Sequence, residues 1–518
     1  MIRIDTEHTC PHADEVARLR ATVEQLRAQL AGVEADEVER LRVQLAGLQA
    51  DQENLRGQLA VLQRAAFGQK SERMPSMEKE LRQKDPVRDL EAVRRKRRET
   101  WEAKQRVESV TVHHPVPERD QVCPRCGGDQ FRPLGEGEEV PEWDWLPGRL
   151  IKRRHLLQKL TCRCGEHIVT AERPDPAVPA SHYGAGLVAH VVVGKCADAI
   201  PLHRMEKQFE RAGVPLSRST LGDLFHAAAE QLVPLYELHL KEIAASELVQ
   251  ADETRVQVQA KGETRTAWMW TFLDEERIGY VYSPSRSGET PQRVLGGTSG
   301  NLMVDAYTAY NRVSDVDGRL RSGCLAHARR KFHEAKAHAP LAQQALMFIR
   351  EVYRVEHEAL EQGIVRTPAH GAMRHTRSRD WMDQFHAWLT DQDGRWPPQG
   401  LMAKAVGYAL NQWVYLTRFL SDVKLPLDNN ASERALRIHA LIRKNSLTVG
   451  HDLAGRNLAV LSSLVETCEA HEINPEAWLA DVLLRLPDIK MSARSSLLPQ
   501  HWKPLEPPPS TEPDPAPS

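Results

Sequence analysis

Apolar residues recur at alternating spacings of three and four along the N-terminal part of the chain. One run is Val16, Leu19, Val23, Leu26, Leu30 and Val33; a second is Val38, Leu41, Leu45, Leu48, Gln52, Leu55, Leu59 and Leu62. Sustained a/d positions with charged flanks predict a coiled coil over 1–66. The two runs are offset by one residue, with Gly32 and Asp36 in the gap, so a skip or hinge is expected near Gly32 to Glu37. Gln52 falls on an a position, where a polar residue fixes register and oligomer number. The reading adopted is a self-associating coil; a helical hairpin folding back at the break is the alternative.

Further on, the period is helical from Ser181 to Leu240 and changes to two between Leu248 and Pro284, where Val, Thr, Trp and Tyr are abundant. This predicts strands at about 248–259, 264–274 and 278–284, a helix from Glu289 to Leu295, a fourth strand ending at Asp305 and a fifth near Leu320 to Leu325. A helix is expected from Ala326 to Ala337. Residues 338–425 read as helical, with Trp381, Trp388, Trp396 and Trp413 among them. Another helix should start at Asn430 and run to Leu441, with more helix over 456–486. The segment 488–518, rich in Pro and acidic residues toward its end, is expected to be disordered.

A length of 518 residues is too great for one hydrophobic core and predicts two to four folded units. The formal net charge of −2 excludes a uniformly basic coat and leaves nucleic-acid affinity to local patches. No apolar run approaches the ~20 residues that span a bilayer, and the N-terminus carries no signal-peptide core. A cytoplasmic protein without membrane association is expected.

Four of the eight cysteines fall in close pairs, which suits metal binding in a reducing compartment better than a disulfide framework. Cys123 and Cys126, followed by two glycines, have zinc-knuckle spacing, and Cys162 and Cys164 supply a tighter second pair. Four thiolates fit a closed tetrahedral Zn²⁺ site; His155 or His167 is an alternative fourth ligand. A zinc ribbon is expected over 111–178, with Arg153 and Arg154 on it as candidate phosphate contacts. The run Arg94 to Arg98 in the linker 67–110 is read first as a solvated charged segment. Within 179–245, the stretch Phe209 to Leu221 reads as helix, glycine turn, serine cap and helix, which places Arg218 at the start of a candidate recognition helix.

Three acids stand out: Asp252, Asp305 and Glu433. An Asp, Asp and Glu brought together by a fold make a cage for hard divalent cations, and two such cations can run phosphodiester chemistry on DNA. In the first strand, Leu248, Gln250, Asp252, Thr254, Val256 and Val258 share a face, while Glu253, Arg255 and Gln257 share the other. Parity therefore sends Asp252 to the apolar side and Glu253 outward, and selects Asp252 as the ligand. Asp305 follows the apolar run Leu302 to Val304, at the carboxyl end of a strand, where ligands gather in open α/β sheets. Glu433 stands near a helix start with Asn430 as the expected cap, and Arg437 one turn on is placed to orient it or hold a phosphate.

At these residues the chain resembles the DDE transposases of bacterial insertion sequences, specifically insertion-sequence family 66. The likeness rests on Phe67-Gly68-Gln69-Lys70-Ser71-Glu72, the Cys123/Cys126 ribbon, Leu216 to Leu221, Ala251-Asp252-Glu253-Thr254, Asp305 to Tyr310, Cys324 to Phe332 and Asp428 to Arg437. It implies a multidomain α+β chain: coiled coil, zinc ribbon, and a ribonuclease-H-like core over 246–337. That core is interrupted by a helical insertion at 338–427 and completed by 428–487.

The resemblance implies a triad of Asp252, Asp305 and Glu433 acting with two Mg²⁺, for which Mn²⁺ substitutes. Transposon-end and target DNA are the implied substrates, and small accessory proteins of the same element are implied partners. Asn429, Asn430, Arg437 and His327 are then expected to support the site, and Arg329, Arg330 and Lys331 to grip DNA. The rival reading is a zinc-ribbon, coiled-coil DNA-binding regulator with an inactive nuclease-like core.

Overall fold

The structure is a computed structural model. It describes residues 176–504, apart from 180, 182, 214, 215, 261 and 315–317, together with strand residues 159–161 and 168–170 and helical residues 15, 17–29, 37, 40, 44, 94, 95 and 98. The expected hinge near Gly32, the second heptad run and the four paired cysteines lie outside the described residues. Two compact units emerge, one of Met1–Pro75 with Tyr236–Ala470, the other of Ser76–Leu235 with His471–Ser518.

In the latter unit, β1 (Lys159–Thr161) and β2 (Ile168–Thr170) form an antiparallel pair that brackets the second cysteine pair in sequence. Helices α1 (Ala185–Cys196) and α2 (Leu202–Arg211) pack with the beginning of α3 (Arg218–Ala244) around Val191, Met205, Leu216 and Leu221. The turn between α2 and α3 uses Gly213 at φ +79°, a left-handed conformation that glycine adopts without steric cost. The Ser217 hydroxyl accepts from the Thr220 N–H at 3.2 Å, the expected cap.

The unit on Tyr236–Ala470 is organised by a five-stranded sheet with the order β5-β4-β3-β6-β7. Its strands are β3 (Leu248–Ala260), β4 (Glu263–Leu273), β5 (Ile278–Ser283), β6 (Gly300–Val304) and β7 (Arg319–Gly323). The first three pair antiparallel through tight turns, the first with Gly262 at φ +81°. The last two run parallel to β3, with Gln250 opposite Met303 and Val304 opposite Gly323. The crossover between β5 and β6 carries α4 (Glu289–Leu295). The carboxyl end of β6 therefore lies beside the middle of β3, which brings Asp305 alongside Asp252.

Helices cover both faces. On one face Ile243 of α3, Leu295 of α4 and Tyr310 pack on Val249, Ala251 and Trp270. The other face meets α5 (Leu325–Ala335) and the helical segment that follows it: α6 (Ala342–Glu361), α7 (Arg379–Gln392) and α8 (Leu401–Asn411). These enclose an apolar core of their own, in which Phe332 meets Phe385 edge-on, Phe348 is tilted against Phe385, and Phe385 stacks on Trp388. The chain then supplies α9 (Asn430–Ala435), α10 (Arg437–Asn445) and α11 (Asp452–Ala470). Beyond them α12 (Pro475–Arg485) belongs with the α1–α3 unit.

Three expectations need correction. The helix expected from Asn430 to Leu441 is broken at Leu436 into α9 and α10. Asn430 is the first helical residue and not the cap. Asn429 occupies the cap position without a side-chain cap bond, because its side chain is engaged elsewhere. The tail is folded well past 488: Leu497 and Leu498 are wholly buried, and the Trp478 indole N–H donates to the Leu497 carbonyl at 3.0 Å.

Candidate active site

Asp252 lies in the middle of β3 and is partly buried. The hydrogen bond described for its carboxylate comes from the next residue, Glu253 N–H to Asp252 Oδ1 at 2.8 Å. Burial raises its pKa to about 8, and the carboxylates of Glu253, Asp305 and Glu433 push in the same direction. Each of these acids thus lies close enough to Asp252 to repel its charge. Asp305 and Glu433, the other two acids that sequence singled out, are thus within electrostatic reach of Asp252.

Asp305 is held from behind. Its Oδ1 accepts from the Tyr307 N–H at 2.8 Å, and its backbone carbonyl accepts from Arg321 Nη2 at 2.7 Å. Arg321, buried on β7, also donates to Asn311 Oδ1 and stacks over the Tyr415 ring at 4.8 Å. Glu433, on α9, accepts from Arg330 Nη2 at 2.9 Å, and His327 Nε2 stands 3.9 Å from the same oxygen. Burial and the Arg330 charge lower the His327 pKa, which keeps the ring neutral. Arg330 and His327 share a face of α5, one turn apart.

The link between Glu433 and Asp252 is Asn429. Wholly buried, it donates Nδ2–H to the Ala251 carbonyl at 2.7 Å and accepts from the Ser432 hydroxyl at 2.6 Å. The residue before Asp252 and the residue before Glu433 are thereby tied through one side chain. Asn430 instead serves Asp428, donating from its backbone at 3.1 Å and its side chain at 2.8 Å.

Glu253 does not point outward. Its side chain is 1% exposed, on the face shared with buried Val249 and Ala251. Arg286 donates to Glu253 Oε1 through Nε at 2.9 Å and Nη2 at 2.5 Å, and Tyr310 OH donates to Oε2 at 2.8 Å. Parity separated the two faces of β3 correctly but could not say which is outside, because both are covered. Arg286 is itself stacked between Trp268 and Tyr307, at 4.7 and 3.9 Å. Sequence missed Arg286, which sits in the nonperiodic loop after β5; Tyr310 was within reach, in the stretch Asp305 to Tyr310.

Other expected residues disperse. Arg329 is 5% exposed, so its guanidinium is turned into the protein and not toward a DNA backbone. Lys331 lies 4.8 Å over the Tyr408 ring, partly exposed. Arg437 is exposed and opens α10, beyond the break, so it is not the residue that orients Glu433; Arg330 fills that position. Arg218 is exposed at the start of α3, its backbone N–H bonded to Glu206 Oε1 at 2.9 Å. Arg153, Arg154, Cys123, Cys126, Cys162 and Cys164 lie outside the described residues.

Residues 180–457 match the family model described as Transposase IS66 family. The chain belongs to the IS66 transposase family. In this IS66-family transposase, residues 463–500 also match the IS66 C-terminal element, which agrees with the folded segment around Leu497. Residues 120–165 match the zinc-finger binding domain of transposase IS66, across both cysteine pairs. Among its relatives are two proteins of Sinorhizobium fredii (strain NBRC 101917 / NGR234). The uncharacterized protein y4jD is 33% identical over 411 residues, covering 75% of this chain and 79% of the relative. The uncharacterized protein y4hP is 30% identical over 437 residues, covering 78% and 77%. Among the described residues no helix is long and apolar enough to cross a membrane.

Among the described residues, no three His, Cys, Asp or Glu side chains are arranged as a group that could hold a metal ion. The donor chemistry nevertheless fits a hard cation: carboxylate oxygens from β3, from the end of β6 and from α9, that of Asp252 raised in pKa by burial and then by its acidic neighbours.

Proposed function

We propose that this transposase cuts DNA at the ends of its insertion sequence and joins those ends to target DNA, with Asp252, Asp305 and Glu433 as the carboxylates of a DDE site. The observation that supports this reading is Asp252 itself: burial first, and then the neighbouring carboxylates of Glu253, Asp305 and Glu433, raise its pKa to about 8. A buried carboxylate among carboxylates, with no cationic partner described for it, is a poor structural element and a good cation ligand. The sheet supports it too. Three antiparallel strands followed by two parallel ones, with the acids on β3, after β6 and on a later helix, is the arrangement a ribonuclease-H-like core calls for.

Divalent cations, Mg²⁺ with Mn²⁺ as substitute, would lower the pKa of an attacking water or 3′-hydroxyl and stabilise the leaving oxygen. The chain's own residues do the rest. Asp252, Asp305 and Glu433 would hold the cations; Tyr307 and Arg321 fix Asp305, and Asn429 with Ser432 ties the Glu433 turn to the strand of Asp252. Arg330 holds Glu433 from one side, and with Lys331 offers positive charge to a phosphate nearby. His327, kept neutral, adds no further positive charge beside Glu433.

Zn²⁺ at Cys123, Cys126, Cys162 and Cys164 would brace the finger as a DNA-phosphate contact carrying Arg153 and Arg154. Self-association through the N-terminal coil is supported by Leu19, Val23 and Leu26, which sit at heptad spacing and are 61%, 47% and 57% exposed. Small accessory proteins of the element complete the proposed partners, and the bacterial cytoplasm, on the nucleoid, is the proposed place of action.

The rival reading is a DNA-binding regulator with an inactive core, favoured by the open disposition of the acids. Purified full-length protein incubated with Mg²⁺ and DNA bearing the element's ends separates the two. End cleavage and strand transfer are expected, with Asp252→Asn losing both while still shifting end DNA in a gel. Strand transfer retained by Asp252→Asn contradicts the assignment.

A further inference from the structure

Helix α9 is only six residues long, too short to hold itself in water. The position of Glu433 must therefore come from what anchors α9. One anchor is the sheet, through Asn429 and the Ala251 carbonyl. A second comes from the helical segment between α5 and α9. Tyr353, on α6, donates its hydroxyl to Asp428 Oδ2 at 2.6 Å. Asp428 in turn holds both the backbone and the side chain of Asn430, the first residue of α9. The chain Tyr353, Asp428, Asn430 thus runs from α6 to the turn that bears Glu433. The pKa of Tyr353 is pushed well above its ordinary value by burial and by Asp428, so the phenol stays a donor.

We propose that Tyr353 is a positioning residue: through Asp428 it lets the helical insertion set the place of Glu433, so that cation occupancy of the carboxylate site depends on the insertion. The claim about cation occupancy rests on the reading of Glu433 as a ligand. The claim about α9 does not.

The hydroxyl is separable from the insertion's own core. Ala345, Ile349 and Val352 of α6 are buried in that core and do not involve the Tyr353 oxygen. Tyr353→Phe keeps the ring and removes one bond to a carboxylate that then depends on Asn430 for its described donors. An under-satisfied carboxylate of this kind relaxes toward water, and α9 goes with it.

The test uses the full-length protein and two readouts. In hydrogen exchange, Tyr353→Phe should speed the amides of 428–436 about ten-fold while the sheet strands stay protected. Gln344→Ala is the control: Gln344 lies on the same helix, and its side chain accepts from Trp388 Nε1 at 2.7 Å. It should leave 428–436 unchanged. In end cleavage, Tyr353→Phe should raise the Mg²⁺ concentration for half-maximal rate about ten-fold, with end-DNA binding unaltered and the rate largely recovered at saturating Mg²⁺. Unchanged exchange at 428–436 in Tyr353→Phe overturns the proposal, and so does faster exchange spread evenly over the insertion. An unshifted Mg²⁺ dependence in an active variant overturns the link to occupancy. Wild-type protein with no metal-dependent cleavage overturns the proposed function instead, and the exchange result alone then decides the anchor.

Discussion

Asp252 and Glu253 are neighbours on one strand and of like charge, yet their two faces treat them oppositely. Glu253 is enclosed and fully answered: three hydrogen bonds from Arg286 and Tyr310 reach its two oxygens. Asp252 is also buried but has its described bond only from the adjacent backbone N–H, and it lies within electrostatic reach of Asp305 and Glu433. The lesson is that a paired buried acid is part of the scaffold, whereas an unpaired one among other acids is a place for something to bind.

The largest expected effect that sharpens this contrast is on activity. Asp252→Asn should reduce end cleavage and joining to background, while Glu253→Gln should leave a slower but measurable reaction, read in the same strand-transfer assay. Stability comes next, and its sign is the sharper test. In chelator-treated protein near neutral pH, Asp252→Asn removes the cost of protonating a buried carboxyl on folding and should melt at or above the wild-type temperature. Glu253→Gln leaves Arg286 without its partner and should cost about 2 kcal/mol, moderated because the Arg286 side chain is 41% exposed. Both variants melting in the same direction would break the comparison.

A smaller effect is the pH dependence. The folded Asp252 pKa of about 8 lies above its unfolded value, which is near ~4. Its contribution to stability is therefore full below the unfolded value and is lost as pH rises through about 8. Metal-free protein should lose stability across that window in chemical denaturation, and Asp252→Asn should flatten the slope. The smallest effect is at Arg437, exposed and outside the site: Arg437→Ala should change stability by less than about 0.5 kcal/mol in the same denaturation assay.

The order of elements in the sheet unit was legible in the sequence. Strand alternation gave β3, β4 and β5 nearly to the residue, and Glu289–Leu295 matched α4. Periodicity reports which residues share a face, and that sufficed to separate Asp252 from Glu253. It does not report what covers the face, so Glu253 was sent outward when Arg286 and Tyr310 enclose it. The break at Leu436 was hidden because Asn430 to Leu441 carries no Gly or Pro to mark it. Arg330 and Tyr353 reach Glu433 and Asp428 from 103 and 75 residues away, a pairing that local pattern cannot supply. The expectation that Arg437 lies one helical turn from Glu433 assumed one continuous helix, which the break at Leu436 interrupts.

The most direct test of the central claim is a crystal of the full-length protein soaked in Mn²⁺, with the ion located by its anomalous signal. The account predicts density bounded by Asp252, Asp305 and Glu433, lost in Asp252→Asn. Mn²⁺ bound on the Glu253 side of β3, or absent from the three acids in protein that cleaves its ends, would contradict it.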